Sequence, residues 1–172
     1  MTPKWSKQIQ CLKVMANPEL LNNLFKTYGL TFDKDNPGSK ENDVFIHKHY
    51  KIITRAGIQK IEKAAGIWME INVVDSISTV DNITMKAEAY LPTMSRPYTT
   101  FASASPETST NKYYAEMAEK RVRSRAVLTL AGLYELGVFG EDEADDFKKI
   151  IKTQQDADLQ TPVVRKATFK GE

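Results

Sequence analysis

Residues 83–91, with the sequence ITMKAEAYL, alternate between apolar and polar side chains without interruption. Side chains that alternate in this way fall on opposite faces of an extended chain, so the segment is predicted to be a strand with one buried face. A single strand cannot bury that face by itself, which means that the fold must supply neighbouring strands and a covering layer. The face predicted to be buried consists of Ile83, Met85, Ala87, Ala89 and Leu91.

Two further segments predict the neighbours of this strand. Residues 68–76 are rich in apolar and β-branched side chains, and residues 80–82, Val-Asp-Asn, have the composition of a hairpin turn. Residues 96–105 predict a third strand after a turn that contains Pro92 and Pro97. Consecutive strands with short connections pair antiparallel, so the sequence predicts a three-stranded meander.

A long helix is predicted over residues 112–136, after the polar start TSTN. A shorter helix precedes the meander, with Thr54 as its N-cap and Gly66 at its end. The predicted fold is α+β: an antiparallel three-stranded β-meander packed against a long basic helix, with additional N-terminal and C-terminal helices. The apolar stripe that would pack the long helix on the sheet is Ala118, Val122, Ala126, Thr129 and Leu133.

Basic residues are concentrated on two of these elements, although the net charge of the chain is only +2. One interpretation is a solvated helix face balanced by Glu116 and Glu119, and for the long helix alone it is the simpler one. A second basic segment at the start of the shorter helix favours phosphate binding instead, because guanidinium and ammonium groups bind phosphate oxygens. The long helix carries Lys120, Arg121, Arg123 and Arg125, and the second segment carries Lys51, Arg55 and Lys60.

Several function classes are disfavoured by what the sequence lacks. Cys11 is the only cysteine, which excludes a disulfide framework within the chain and a multi-cysteine zinc site. Neither a phosphate-binding Gly-x-x-x-x-Gly-Lys-Ser/Thr loop nor a Gly-x-Ser-x-Gly motif is present. The start of the chain does not resemble a signal peptide, and no apolar run reaches the length of a membrane span. We therefore expect a cytoplasmic, non-catalytic protein without a cofactor.

Residues 141–146 contain five acidic side chains in six positions and leave two alternatives open. Carboxylates bind magnesium in nucleases, so Glu141, Asp142, Glu143 and Asp145 could form a metal site. No further metal-binding residue stands at the spacing of a known metal motif, so nothing else in the sequence supports that alternative. The acidic residues could equally pair with the basic surface of another copy, which would make the protein a self-assembling scaffold.

Two motifs, RAGIQKIEKAAGI at residues 55–67 and AEKRVRSRAVLTLAGL at residues 118–133, flank the predicted meander. Their order and patterns resemble the common core of the Rad-fifty-two-like single-strand annealing proteins, which include phage annealing proteins, mitochondrial Mgm-type proteins and DNA-damage-response A proteins. The acidic GEDEADDF segment at residues 140–147 is similar to phage and prophage members. The resemblance covers residues 50–147, more than half of the chain.

The resemblance implies ATP-independent binding of single-stranded DNA and annealing of complementary strands in homologous recombination and DNA repair. The partners implied are single-stranded DNA, the annealing duplex intermediate, and further copies of the chain in a ring or helical filament; a single-strand-binding protein could be another. If the protein is encoded by a phage or prophage, its location is the cytoplasm of the bacterial host.

The resemblance also implies a division of the chain and a DNA-binding site. Residues 1–43 would be an N-terminal helical segment and loop, residues 44–152 the annealing core, and residues 153–172 a flexible tail. DNA would lie in a groove between the meander and the basic helix. That groove would use Arg121 and Arg125, with Lys120 and Arg123, from the helix, and Arg55, Lys51 and Lys60 from the start of the shorter helix.

Overall fold

The computed structural model of the protein describes residues 18–33, 35–36, 39–47, 50–109 and 112–143. Cys11, Asp145 and the predicted tail 153–172 lie outside these ranges. The described residues form helices and strands in mixed order, which confirms the predicted α+β class. In chain order the elements are α1 (Pro18–Thr27), β1 (Val44–His47), β2 (Tyr50–Ile53), α2 (Arg55–Ala65), β3 (Trp68–Val73), β4 (Ile83–Tyr90), β5 (Tyr98–Ala104), α3 (Tyr114–Leu130), a 3-10 helix (Tyr134–Leu136) and β6 (Val138–Gly140).

The strands form two separate three-stranded sheets. In the first, which we call the large sheet, β4 pairs antiparallel with β3 and with β5; Trp68 lies opposite Tyr90 and Ala89 opposite Tyr98. In the second, the small sheet, β2 pairs antiparallel with β1 and parallel with β6. The sequence interpretation did not include the small sheet, because strands of three or four residues carry too short a pattern to be recognised.

Helix α2 begins and ends where local chemistry predicts. The Thr54 hydroxyl accepts a hydrogen bond from the backbone N–H of Gly57, as an N-cap does. At the other end, Gly66 has a φ of 65° and the N–H of Ile67 returns to the carbonyl of Glu62. A left-handed residue with this bond closes a helix by satisfying its last carbonyls. The predicted N-cap and terminus are therefore confirmed.

Helix α3 ends six residues earlier than the sequence interpretation expected, at Leu130 rather than at residue 136. Gly132 adopts a φ of 71°, and the N–H of Leu133 donates to the carbonyl of Leu128 at 2.9 Å. Leu128 and Leu133 are both fully buried, which adds the apolar contact typical of this terminating motif. The chain then forms the short 3-10 helix before β6.

Helix α3 packs against elements on more than one of its sides. The sequence predicted one apolar stripe, but the buried residues cover more than half of the helix circumference, and they include Met117, Arg121, Ser124 and Val127, whereas Glu116 and Glu119 on the remaining side are exposed. The helix packs against β4 and β5 of the large sheet and against β6 and α2 as well. Two covering layers explain why its sequence lacks the single stripe of a surface helix.

Helix α1 belongs to the same hydrophobic core. Leu21 and Phe25 are buried in one cluster with residues of α2, α3 and both sheets. The Tyr28 hydroxyl donates to the carbonyl of Ala131 at 3.3 Å, and Asp43 accepts a hydrogen bond from the N–H of Thr31 at 2.7 Å. The described residues before β1 are thus packed onto the rest of the structure.

The close packing of α2 on β2 leads to a first prediction. A Cβ atom at Gly57 would lie 2.6 Å from Cγ2 of Ile53, which is fully buried, and 3.1 Å from the backbone oxygen of Asp43. We expect Gly57→Ala to lower the free energy of unfolding by about 1–2 kcal/mol in urea titrations, because overpacking outweighs the better helix propensity of alanine. Lys63→Ala, at an exposed position of the same helix, is the control and should change little. A stabilised Gly57→Ala variant would contradict the packing.

Candidate nucleic-acid interface

A cavity of about 200 Å³ lies between α2 and α3 and contains three of the predicted DNA-binding residues. Arg55 reaches it from the first turn of α2, while Lys120 and Arg123 reach it from α3. Residues three apart lie on the same side of a helix, which is why both α3 cations line one cavity. The remaining wall is formed by Ile58, Gln59, Glu119, Ser124 and Asp142.

The three cations of this cavity differ in how far the protein neutralises them. Arg123 forms ion pairs with Glu62 at 3.0 Å and with Glu119 at 3.4 Å, so its charge is largely balanced. Within the described ranges, neither Arg55 nor Lys120 has a carboxylate oxygen within 4.0 Å of its side-chain nitrogens. These two side chains are the cations that an incoming anion would meet first.

Asp142 places a carboxylate in the same cavity. Its Oδ2 accepts a hydrogen bond from the Ser124 hydroxyl at 3.2 Å. Burial raises the pKa of Asp142, and the hydrogen bond from Ser124 together with the positive charges of Lys120 and Arg55 acts in the opposite direction. The neighbouring Glu141 accepts a hydrogen bond from the backbone N–H of Arg55, with 3.4 Å between nitrogen and oxygen. The sequence interpretation assigned these acids to a metal site or to the basic surface of another copy and did not place them here.

The structure corrects the predicted position of Arg121. Only 2% of this residue is exposed, and its guanidinium donates to the carbonyls of Ser103 at 2.9 Å and of Thr108 at 2.6 Å. The same group also contacts the carbonyl of Asp142 at 3.4 Å. An arginine buried in this way satisfies backbone carbonyls inside the fold and does not present its charge to a strand of DNA.

Arg125, one helical turn further along, is also engaged by the protein. It donates to the carbonyl of Phe101 at 2.7 Å and to the carboxylate of Glu143 at 2.7 and 3.0 Å. Two residues four apart on a helix are separated by about 6 Å along its axis, close to the separation of about 6.8 Å between alternate residues of a strand. The two arginines can therefore reach alternate residues of the edge strand β5. Arg121 donates to the carbonyl of Ser103, and Arg125 donates to the carbonyl of Phe101.

The other two predicted residues lie away from the cavity. The Lys60 ammonium forms an ion pair with the buried carboxylate of Asp43 at 2.7 Å. Lys51 lies on β2 opposite Val138 of β6 and is partly buried. The predicted site thus divides: Arg55, Lys120 and Arg123 come together, whereas Lys51, Lys60, Arg121 and Arg125 do not join them.

A second hollow of about 340 Å³ adjoins the first and shares Glu119 and Arg123 with it. It lies beside β3, on the face of the large sheet that packs against α3. The helix does not cover this part of that face. The sequence interpretation did not identify this hollow, because the end of helix coverage depends on how α3 crosses the sheet. Its apolar floor consists of Met69, Ile71, Val73 and Met85.

The described residues give no support to a metal centre. Within those ranges, no three His, Cys, Asp or Glu side chains lie close enough together to hold a metal ion. Of the acids considered for a nuclease, Glu141, Asp142 and Glu143 are described and Asp145 is not. In the same part of the chain, no helix combines the length and the apolar character needed to cross a bilayer.

Comparison with known proteins found no family model, no curated protein and no solved structure that matches the chain. The resemblance to annealing proteins therefore rests on the order of the elements and on the two motifs quoted above. The geometry of the cavity between α2 and α3 is an independent observation, since it depends on the packing of the two helices and not on that resemblance.

Proposed function

We propose that the protein binds single-stranded DNA through the cavity between α2 and α3 and anneals complementary strands without ATP or a metal ion. The observation that carries this proposal is the convergence of Arg55 and Lys120, from two different helices, on one cavity in which neither has an ion-pair partner among the described residues. Cations that form no direct ion pair are suited to binding phosphate oxygens.

The cavity supports binding to a backbone rather than reading of a sequence. Its polar wall offers positive charge and the hydrogen-bonding groups of Gln59 and Ser124, and no aromatic ring is among the described residues that line it. Phosphate contacts position a nucleic acid without selecting its bases. A protein that grips the backbone leaves the bases available for pairing, which annealing requires.

The proposal also gives a role in DNA binding to the large sheet and to α3. In the annealing proteins that the sequence resembles, DNA lies between a meander and a basic helix, and we assign those roles to the β3–β4–β5 sheet and α3. The strand would run from the cavity past Arg123 to the hollow beside β3, because the two spaces share that residue. One cavity holds only a short stretch of DNA backbone, so the form that anneals DNA would be a ring or filament of several copies. If a phage or prophage encodes the protein, annealing would take place in the cytoplasm of the bacterial host.

The direct test is an annealing assay with the full chain, two complementary labelled oligonucleotides, and neither nucleotide nor divalent metal. We expect fluorescence anisotropy to report binding of one strand, with log K falling against log salt with a slope of about −1.4 or steeper, or about −0.7 for each neutralised phosphate. Addition of the second strand should form duplex faster than in buffer. Fluorescence resonance energy transfer between the two labels measures this rate.

Three other results would contradict the proposal in different ways. An absence of binding at low salt would remove the nucleic-acid class. Cleavage of the labelled strand on addition of magnesium would favour the nuclease alternative. Salt-sensitive self-association without DNA affinity, seen by analytical ultracentrifugation, would favour the scaffold alternative.

A further inference from the structure

The Asp142 carboxylate lines the cavity between α2 and α3, and the Glu141 carboxylate accepts a hydrogen bond at the start of α2. Asp142 lies in the cavity wall and accepts from the hydroxyl of Ser124. Glu141 accepts from the backbone N–H of Arg55, the first residue of α2. A helix N-terminus and a nearby hydroxyl are donors that bind phosphate oxygens as readily as they bind carboxylate oxygens.

The charges around Asp142 come from every element that packs against it. Lys120 and Ser124 face it from α3, Arg55 faces it from α2, and Glu141 precedes it in its own segment; the Arg121 guanidinium contacts its backbone oxygen. An anion that entered the cavity would approach Lys120 and Arg55 against the repulsion of the Asp142 carboxylate. At short separations in a partly desolvated site, this repulsion is large enough to alter an affinity severalfold.

We propose that Asp142 sets the affinity of the cavity for the DNA backbone, because its carboxylate lies in the cavity wall and accepts the Ser124 hydrogen bond that a phosphate oxygen would use. This inference rests on the proposed function. It assigns a role to the start of the acidic segment: the segment competes with DNA from within the chain. DNA that binds must displace the carboxylate or meet it in its protonated form.

Protonation of Asp142 should therefore favour DNA binding. Since burial raises the pKa of this carboxyl group, it takes up a proton at a higher pH than an exposed aspartate does. As the pH falls toward that pKa, the repulsion between the Asp142 carboxylate and an incoming phosphate disappears. The affinity of the wild-type chain should rise over this interval more than that of a variant without the carboxylate.

The experiment compares the full-length wild type with Asp142→Asn and with Glu135→Gln, using a labelled oligothymidylate and fluorescence anisotropy at low salt. Glu135 is an exposed residue of the 3-10 helix, so its variant makes the same change in net charge away from the cavity. We expect Asp142→Asn to bind about five- to tenfold more tightly than the wild type, and Glu135→Gln to differ less than about twofold. A pH series should be steeper for the wild type than for Asp142→Asn.

The outcomes separate this inference from the function on which it rests. If the wild type binds DNA and Asp142→Asn binds equally well, with the same pH dependence, the inference is overturned and the proposed function stands. Equal tightening by both variants would trace the effect to net charge and would also overturn it. If no form binds, both proposals fail. If Asp142→Asn binds DNA and the wild type does not, the result supports both proposals, because the wild-type carboxylate would then be what prevents binding.

Discussion

Replacing Arg121 by alanine is expected to lower the free energy of unfolding by about 3–4 kcal/mol, measured by guanidinium or urea titration. The substitution removes a side chain that is only 2% exposed, together with its hydrogen bonds to the carbonyls of Ser103 and Thr108 at 2.9 and 2.6 Å. Truncating a large buried side chain leaves a cavity, and the carbonyls that faced the guanidinium lose a charge-assisted donor, so the two costs add. The loss should appear whether or not DNA is present.

Two matched variants test the assignment of Arg121 to the interior. Arg121→Lys keeps the charge but not the planar fork, so a single ammonium cannot serve both carbonyls and we expect an intermediate loss of stability. Arg55→Ala removes an arginine from the exposed start of α2 and should leave stability within about 0.5 kcal/mol of the wild type. An Arg121→Ala variant that folds as stably as the wild type but binds DNA weakly would restore the groove role and refute the buried one.

The second large effect is expected from removing both cations that lack ion-pair partners among the described residues. The double variant Arg55→Ala and Lys120→Ala should bind a labelled single strand about 30- to 100-fold more weakly at low salt, because each lost charge-assisted contact costs about 1–1.5 kcal/mol. The slope of log K against log salt should become shallower by about 1.4, since two phosphates are no longer neutralised. Anisotropy across a salt series measures both quantities.

The control for this prediction removes two positive charges elsewhere. Lys26 on α1 and Lys63 on α2 are exposed and do not line the cavity, so the Lys26→Ala, Lys63→Ala variant has the same net charge as the test variant. If both double variants lose equal affinity, binding depends on overall charge and the cavity is not the site. An unfolding titration of each variant confirms that the fold is retained.

Features encoded by neighbouring residues were predictable from the sequence. The cap at Thr54 and the stop at Gly66 each depend on contacts within a few residues, and the alternation of residues 83–91 belongs to one strand. The interior position of Arg121 was not predictable, because it depends on carbonyls of β5 that the fold brings beside α3. A charged residue with an i, i+4 partner resembles a surface pair until the strand beside it is known.

The same distinction between local contacts and contacts made by the fold applies to the candidate site. Its cations could be named from the sequence as basic residues of two helices, but only helix packing brings Arg55 and Lys120 to one cavity and leaves Lys60 outside it. Asp142 belongs to a segment whose composition suggests a solvated surface. Its entry into the cavity follows from the hydrogen bond with Ser124 and from β6, which carries the chain back toward α2.

The parallel pairing of β2 with β6 has a consequence for how the protein is made. Synthesis proceeds from the N-terminus, so β1 and β2 leave the ribosome well before Val138–Gly140 exists. Until then, one edge of β2 has no strand to pair with, while β3, β4, β5 and α3 form contacts between near neighbours in the chain. A nascent chain would therefore assemble the large sheet first and complete the small sheet last, and a chain cut short before β6 would expose an unpaired strand to aggregation.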